Sequence, residues 1–342
     1  MVSHTKNVSL APYNSFGIDV KAANLIRFQN TNEIVDIFCL PELQLITQNS
    51  EPILILGGGS NLLLCNDIKG AVLKNEIQYI KILEETTQTA MVEVGAGVIW
   101  QDFVDYTIDK QWGGVENLSL IPGSVGAAPI QNIGAYGIEV SSVIEKINLY
   151  HIEAKQFLSL TNEECCFGYR DSVFKNSLKN KTIICSVVFR LQKNPVLNIS
   201  YGAIAEELKN TDHITIKEVS EAIIAIRQSK LPDPKVLGNA GSFFKNPVID
   251  ENAFQKIILK YPDLKYNKAG VLYKIYAGWL IENAGWKGYR KNQVGCYEKQ
   301  ALILVNYGHA QGGDVLELAQ KIQTSVLEKF SITLEMEVNL IQ

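Results

Sequence analysis

"VEVGAGVIWQ", residues 92–101, decides which fold this chain can have. Gly95 and Gly97 follow an apolar run and precede a helical pattern, "IWQDFVDYTIDKQW". That is the setting of a dinucleotide fingerprint, whose glycines give a tight turn, bring backbone close to a pyrophosphate and let helix pack on strand. The third small position, however, is Trp100. An indole there prevents the close strand–helix packing, and no acidic residue closes a following strand. The stretch reads as a tight turn, and the chain as something other than a Rossmann fold.

Two further glycine-dense loops flank it. "PILILGGGSNLLL", residues 52–64, reads as a buried strand, a glycine turn and a second strand. "IPGSVGAAPIQNIGAYG", residues 121–137, holds four glycines and no charge. Such loops let backbone N–H groups line a concave surface and bind an anion. Two of them imply one extended, phosphate-bearing cofactor held by backbone.

The remaining pattern is α+β. "NTNEIVDIFCL" reads as a helix with Asn30 as N-cap and Glu33 three residues on. "GAVLKN", "YIKILEE" and "TAMVEVGAG" read as strands, and "IEKINLYHI", "QFLSLTNEEC" and "KTIICSVVFRLQK" as antiparallel ones. "TIKEVSEAIIAIRQSK" is a helix that "LPDPKVLG" stops. Strand "ALILVNY", helix "GGDVLELAQKIQTSVLEKF" and strand "ITLEMEVNLI" close the chain.

With 342 residues, two or three domains are expected. The formal net charge of −4 leaves no basic excess for nucleic acid. Six cysteines form no CxxC pair, and no Cys/His cluster has metal-ligand spacing, so reduced thiols and no metal are expected. The start, "MVSHTKNVSLAPYNSFG", lacks a signal-peptide apolar core. No apolar run reaches about 18 residues. A cytoplasmic protein without membrane partners is the expectation.

"YNSFGIDVKA", "ILGGGSNLL", "GVENLSLIPGSVGAAPIQNIGAYG", "FGYRDSVFK", "KLPDPKVLGNAGSFFKNP" and "LEMEV" occur in that order. Together they resemble the UDP-N-acetylenolpyruvoylglucosamine reductase family, over nearly the whole chain. The resemblance implies an FAD-binding domain of the vanillyl-alcohol-oxidase (PCMH) type in two subdomains, residues 1–70 and 71–205. A C-terminal α+β substrate-binding domain, residues 206–342, follows. It also implies reduction of UDP-N-acetylglucosamine enolpyruvate to UDP-N-acetylmuramate for peptidoglycan, with NADPH as reductant, in a monomer. A related FAD-dependent oxidase or dehydrogenase of another sugar or alcohol is the alternative. Those relatives often attach flavin through a loop histidine, and none of His4, His151, His213 and His309 falls in the glycine loops. Non-covalent FAD is therefore expected.

Residue roles follow from the same resemblance. Asn14, Ser15, Phe16, the run Gly57, Gly58, Gly59, Ser60, Asn61, Leu62, and Pro122, Gly123, Ser124, Gly126, Ala127, Gln131, Asn132, Gly134, Tyr136 and Gly137 match cofactor-binding positions. Arg170 matches the residue that steadies the substrate carboxylate as hydride addition pushes charge into it. A guanidinium can meet a carboxylate through two parallel hydrogen bonds. Ser242 matches the general acid that protonates the resulting carbanion; it attacks nothing, and so needs no neighbouring base. Glu337 matches the acid that hydrogen-bonds the carboxylate beside Arg170, in its protonated form. Glu335 is its fallback, since both point to one side of a strand. Tyr201 matches the tyrosine that closes over the substrate in one of the family's two subtypes. Lys230, Asn246 and Gln300 match residues near the diphosphate and uridine, and Tyr169 a pocket residue near the flavin. Two departures stand out: Ser15 replaces a common threonine, and no arginine follows "EV".

Overall fold

The computed structural model describes residues 2–342, which divide into two compact units. The first comprises residues up to Val8, Lys21–Gly59 and Ile68–Ser229. The second comprises Ser9–Val20, Ser60–Asp67 and Lys230–Gln342.

The first unit holds two large sheets and a two-stranded ribbon, Gly134–Ala135 with Ile138–Glu139. In the smaller of the two large sheets, the strands Lys21–Phe28 and Ile53–Leu56 both run parallel to Ile68–Asn75 between them. The helix Thr31–Cys39 covers it, and Asn30 caps that helix by accepting from the Glu33 N–H. The Glu33 carboxylate reaches back one residue further than expected, to the Gln29 N–H. The second sheet has five strands, in the order Gln156–Thr161, Ile144–His151, Thr182–Gln192, Thr89–Gly95, Ile80–Glu85. Every pairing in it is antiparallel. The strand that ends at Gly95 is thus no Rossmann strand.

Trp100 explains what the 95–101 turn does. It is the first residue of the helix Trp100–Asp109 and is 1% exposed. Its indole N–H donates to the Leu118 carbonyl at 2.9 Å, and its ring lies against Phe103 and Phe189. A buried side chain of this size contributes roughly 1.5–3 kcal/mol.

The unit boundaries differ from the expected 70, 205 and 206. The helix Ile216–Lys230 packs with Gly202–Glu207 through Ile204, Leu208, Val219, Ile223 and Ile226, with Tyr136 against the same cluster. That apolar face draws residues 206–229 into the first unit. Residues 9–20 and 60–67, expected with the first domain, belong to the second unit. There Leu62–Leu64 pairs parallel with Asn339–Ile341.

In the second unit, Gly238–Ser242, Ile303–Asn306, Val294–Cys296 and Arg290–Lys291 form one sheet in that order. Val248–Ile249, Leu272–Ile275 and Tyr266–Ala269 form another. The 19-residue helix Gly312–Phe330 begins at a capping box in which Gln311 and Asp314 satisfy each other's backbone N–H groups. Where "ITLEMEVNLI" reads as one strand, only Asn339–Ile341 forms a ladder strand, with one isolated bridge between Met336 and Phe244.

All six cysteines are free thiols. Burial pushes Cys165, Cys185 and Cys296 from their ordinary 9.0 up to about 12. Only Cys39 and Cys166 are exposed. A thiol-disulfide titration of the native protein should find two fast-reacting thiols, the three buried ones reacting only after denaturation; a buried cysteine labelled in the fast phase would contradict the packing. The folded state also holds these protons to higher pH than the unfolded state does. Stability contributed this way is complete below pH 9 and falls as pH rises toward 12. The urea midpoint should therefore drop between about pH 8 and about pH 10.5.

Candidate active site

In the first unit, the three glycine-rich turns are built against one another. The Gly126 N–H donates to the Ala96 carbonyl at 2.9 Å, the Val125 N–H to Val98 at 2.9 Å, and the Trp100 N–H to Gly123 at 3.0 Å. A Cβ on Gly126 would lie 2.5 Å from the Ala96 Cβ. A Cβ on Gly58 would lie 2.7 Å from the Gly123 Cα, and one on Gly57 would lie 2.5 Å from the Ser124 Oγ and 3.6 Å from the Ala127 Cβ. Gly59 and Gly123 have φ of +64° and +128°, which glycine adopts without penalty. The expected cofactor residues Gly57–Gly59, Pro122–Ser124, Gly126 and Ala127 therefore share one place. Lys74 joins them, its ammonium donating to the Gly57 carbonyl at 2.5 Å, and burial pulls its affinity for the proton down.

The 130–137 part of the loop supports the "GYRDS" turn. Asn132, 1% exposed, donates to the Gly168 carbonyl at 3.0 Å and to Glu139 at 2.9 Å, and accepts from the Ser141 N–H at 3.0 Å. Its amide ties the loop to residues 139–141 and to Gly168. Ser172 donates to the Ile130 carbonyl at 2.6 Å. Arg170 donates from Nη2 to the Gly134 carbonyl at 2.5 Å, and its guanidinium lies 5.4 Å from the Tyr169 ring centroid. A Cβ on Gly134 would lie 2.8 Å from the Arg170 Nη1, so the glycine makes room for the guanidinium. Tyr136 meets Tyr201 edge-on at 5.3 Å, with Tyr201 at the N-cap of Gly202–Glu207. Gly137, at φ +83°, passes close beside the Asn198 amide. Gln131 sits half-buried within the same loop.

Arg227 is a residue that the motifs missed. Its Nε is buried without a hydrogen-bond partner, and burial holds its pKa below the ordinary 12.5, with the nearby Tyr136 opposing that shift. The signal was present in "IIAIRQSK", where a cation stands four residues after the buried Ile223 of the apolar stripe.

The second unit carries Ser242 at the end of the edge strand Gly238–Ser242. Its pairing with Ile303–Asn306 slips between Asn239 and Ser242, with Gly241 at φ +70°. Such a bulge re-aims the side chain that follows it. Ser242 is exposed. The next residues pair on both sides: the Phe243 N–H donates to Leu302, the Glu337 N–H to Phe243 at 2.8 Å, and the Lys245 N–H to Glu335 at 2.9 Å. Glu335 is 71% exposed at its side chain and forms an ion pair with Lys245, whereas Glu337 is half-buried. The Asn61 amide donates to the Glu337 carbonyl at 3.3 Å. Asn339 donates in turn to the Asn61 carbonyl, as Ser60–Leu62 leads into the strand Leu62–Leu64.

Asn14 spends its amide on Leu10 and Ile18, fixing the "NSFG" turn. The Asn239 N–H donates to the Ser15 carbonyl at 3.0 Å, and Phe16 meets Phe243 at 6.3 Å. This turn therefore props the Ser242 strand. Asn246 accepts from the Ala277 N–H at 2.9 Å, Gln300 accepts from the Leu302 N–H at 3.4 Å, and Lys230 ends its helix exposed.

Residues 233–341 match the family model "UDP-N-acetylenolpyruvoylglucosamine reductase, C-terminal domain", and residues 23–150 match "FAD binding domain". The UDP-N-acetylenolpyruvoylglucosamine reductase of Flavobacterium johnsoniae is 47% identical over 98% of both chains. The chain belongs to this family. The reductase of Pseudomonas syringae pv. tomato is 43% identical over 99% of this chain and 100% of its own. The crystal structure of the Thermus caldophilus reductase is similar in fold, with a TM-score of 0.67, 24% identity and 100% and 99% of the two chains covered. The family's FAD-binding domain and C-terminal domain thus follow one another, in an oxidoreductase of the α+β class.

The residues present fit an FAD. The Ser124 Oγ in the first unit and the Ser15 Oγ in the second are buried without a hydrogen-bond partner, each at an expected cofactor position. Among the described residues, no group of three or more His, Cys, Asp or Glu could hold a metal ion. No helix of those residues is long and apolar enough to cross a membrane.

Replacing Gly58 by alanine forces the new methyl onto the Gly123 backbone, which cannot yield as a side chain does. The variant should lose about 1–3 kcal/mol of stability and purify with much less flavin per chain. Flavin absorbance relative to protein absorbance measures this, and a fully yellow Gly58→Ala protein would refute the packing argument.

Proposed function

We propose that the chain reduces UDP-N-acetylglucosamine enolpyruvate to UDP-N-acetylmuramate, with NADPH as reductant and a non-covalently held FAD, as a cytoplasmic monomer in peptidoglycan precursor synthesis. The observation that carries the reading is the pairing of residues 243–245 with 335–337. Backbone bonds at Phe243 and Lys245 and an isolated bridge from Phe244 to Met336 run the segment that follows the serine of "GNAGSFFKNP" beside the glutamates of "LEMEV", which supports their acting on one substrate.

When bound, FAD supplies the means of passing a hydride from NADPH to the methylene carbon of the enol ether. The chain's own task is to make an electron-rich double bond accept that hydride. As it adds, charge moves into the substrate carboxylate. Arg170 meets that carboxylate through its planar fork, and a preorganised donor of this kind contributes about 3–4 kcal/mol. Glu337, held by backbone bonds at Phe243 and Asn61, donates a second hydrogen bond. The Ser242 Oγ then delivers its proton to the carbon bearing the carboxylate. Because Ser242 is exposed rather than buried, substrate must cover it before its proton is directed to carbon and not exchanged with water. Tyr201, in edge contact with Tyr136, closes on the nucleotide, and its presence supports the tyrosine-bearing subtype. Lys230, Asn246 and Gln300 face the diphosphate and uridine, and Tyr169 lines the pocket.

Ser242→Ala should bleach its flavin with NADPH at a rate within about twofold of the parent, while reoxidation by the enol ether falls about 10²–10⁴-fold. Equal loss of both half-reactions would remove Ser242 from the proton-donor role. Glu337→Gln should slow only the second half-reaction, and Glu335→Gln should leave both unchanged, since that carboxylate is engaged with Lys245 at the surface. The reverse ranking would move the role to Glu335.

A further inference from the structure

We propose that Lys175 is a positioning residue for Arg170. The inference rests on the reading in which Arg170 meets the substrate carboxylate.

Gly168 and Asp171 exchange backbone hydrogen bonds of 3.0 and 3.2 Å across a four-residue turn. Arg170 occupies its third position with φ +54°. That position favours glycine or asparagine, because a side chain in the left-handed region crowds its own carbonyl. An arginine held there marks a place where surrounding structure imposes a conformation that the chain would otherwise leave.

Neighbouring side chains impose that conformation. Lys175 donates from Nζ to the Arg170 carbonyl at 3.2 Å. It stands at the end of the turn Val173–Lys175, which Ser172 caps by accepting from the Phe174 N–H and anchors by donating to the Ile130 carbonyl. The anchored ammonium therefore grips the peptide group of the strained residue, while Gly134 accepts from its guanidinium. A charged donor makes a stronger bond to that carbonyl than a neutral one. Without it, the Arg170–Asp171 peptide relaxes toward ordinary φ. The fork then swings off the place that the Gly134 carbonyl marks.

The test is a binding titration followed by flavin absorbance in the oxidised holoenzyme, with two probes. UDP-N-acetylglucosamine enolpyruvate carries the carboxylate, and UDP-N-acetylglucosamine lacks it. Lys175→Met should weaken the first at least about tenfold and leave the second within about twofold, at unchanged melting temperature. Lys175→Arg, which keeps a charged donor, should restore the first to within about threefold. In an Arg170→Met background, Lys175→Met should add less than about twofold, because its effect passes through Arg170.

Equal weakening of both probes, no weakening of either, or a full further loss in the Arg170→Met background would overturn the proposal. Should Lys175→Met lose its flavin, Lys175→Gln takes its place under the same two-probe comparison. If Arg170→Met alone binds the enol ether normally, the carboxylate role of Arg170 fails, an outcome read independently of Lys175.

Discussion

One set of backbone hydrogen bonds organises the first unit: those from Trp100, Val125 and Gly126 that sew the 95–101 turn to the 121–137 loop. They exist because Gly126 brings the two backbones within reach, and because the Trp100 indole fills the space beneath and bonds Leu118. The loop's far half then holds the "GYRDS" turn through Ile130, Asn132 and Gly134. The placement of the arginine thus descends, contact by contact, from a tryptophan that contacts no ligand in the proposed chemistry.

The second unit solves a different problem. A serine hydroxyl is a poor acid, and its usefulness depends on where it points. The bulge at Gly241 turns Ser242 outward from a sheet edge, and backbone bonds from 243–245 hold the segment with Glu335 and Glu337 alongside. Asn14 and Asn61, which the motifs mark for the cofactor, spend hydrogen bonds on this scaffold. Positions of one motif can therefore serve support and recognition together.

Much of this was legible in the sequence. The Asn30 cap, the glycine turns and the antiparallel run from residue 144 to 192 follow from local rules, and local contacts form them. Trp100 correctly excluded the Rossmann reading. What was hidden was non-local. "TIKEVSEAIIAIRQSK" reads as a helix, yet nothing in it says that its apolar face packs under Tyr136 instead of joining the C-terminal sheets. "ITLEMEVNLI" alternates as a strand should, but its neighbours bond it at only a few positions. The Lys245 that engages Glu335 stands ninety residues away in the sequence. Lys175 carries no signal in the sequence, because its place beside the Arg170 carbonyl depends on the turn that holds it.

The parallel pairing of Leu62–Leu64 with Asn339–Ile341 has a consequence for a chain emerging from a ribosome. The early segment has no strand partner until residues 339–341 have been made, so that part of the second unit cannot close before then. Through most of translation, those three leucines are unpaired and apolar, and their protection falls to chaperones or to rapid completion of the chain.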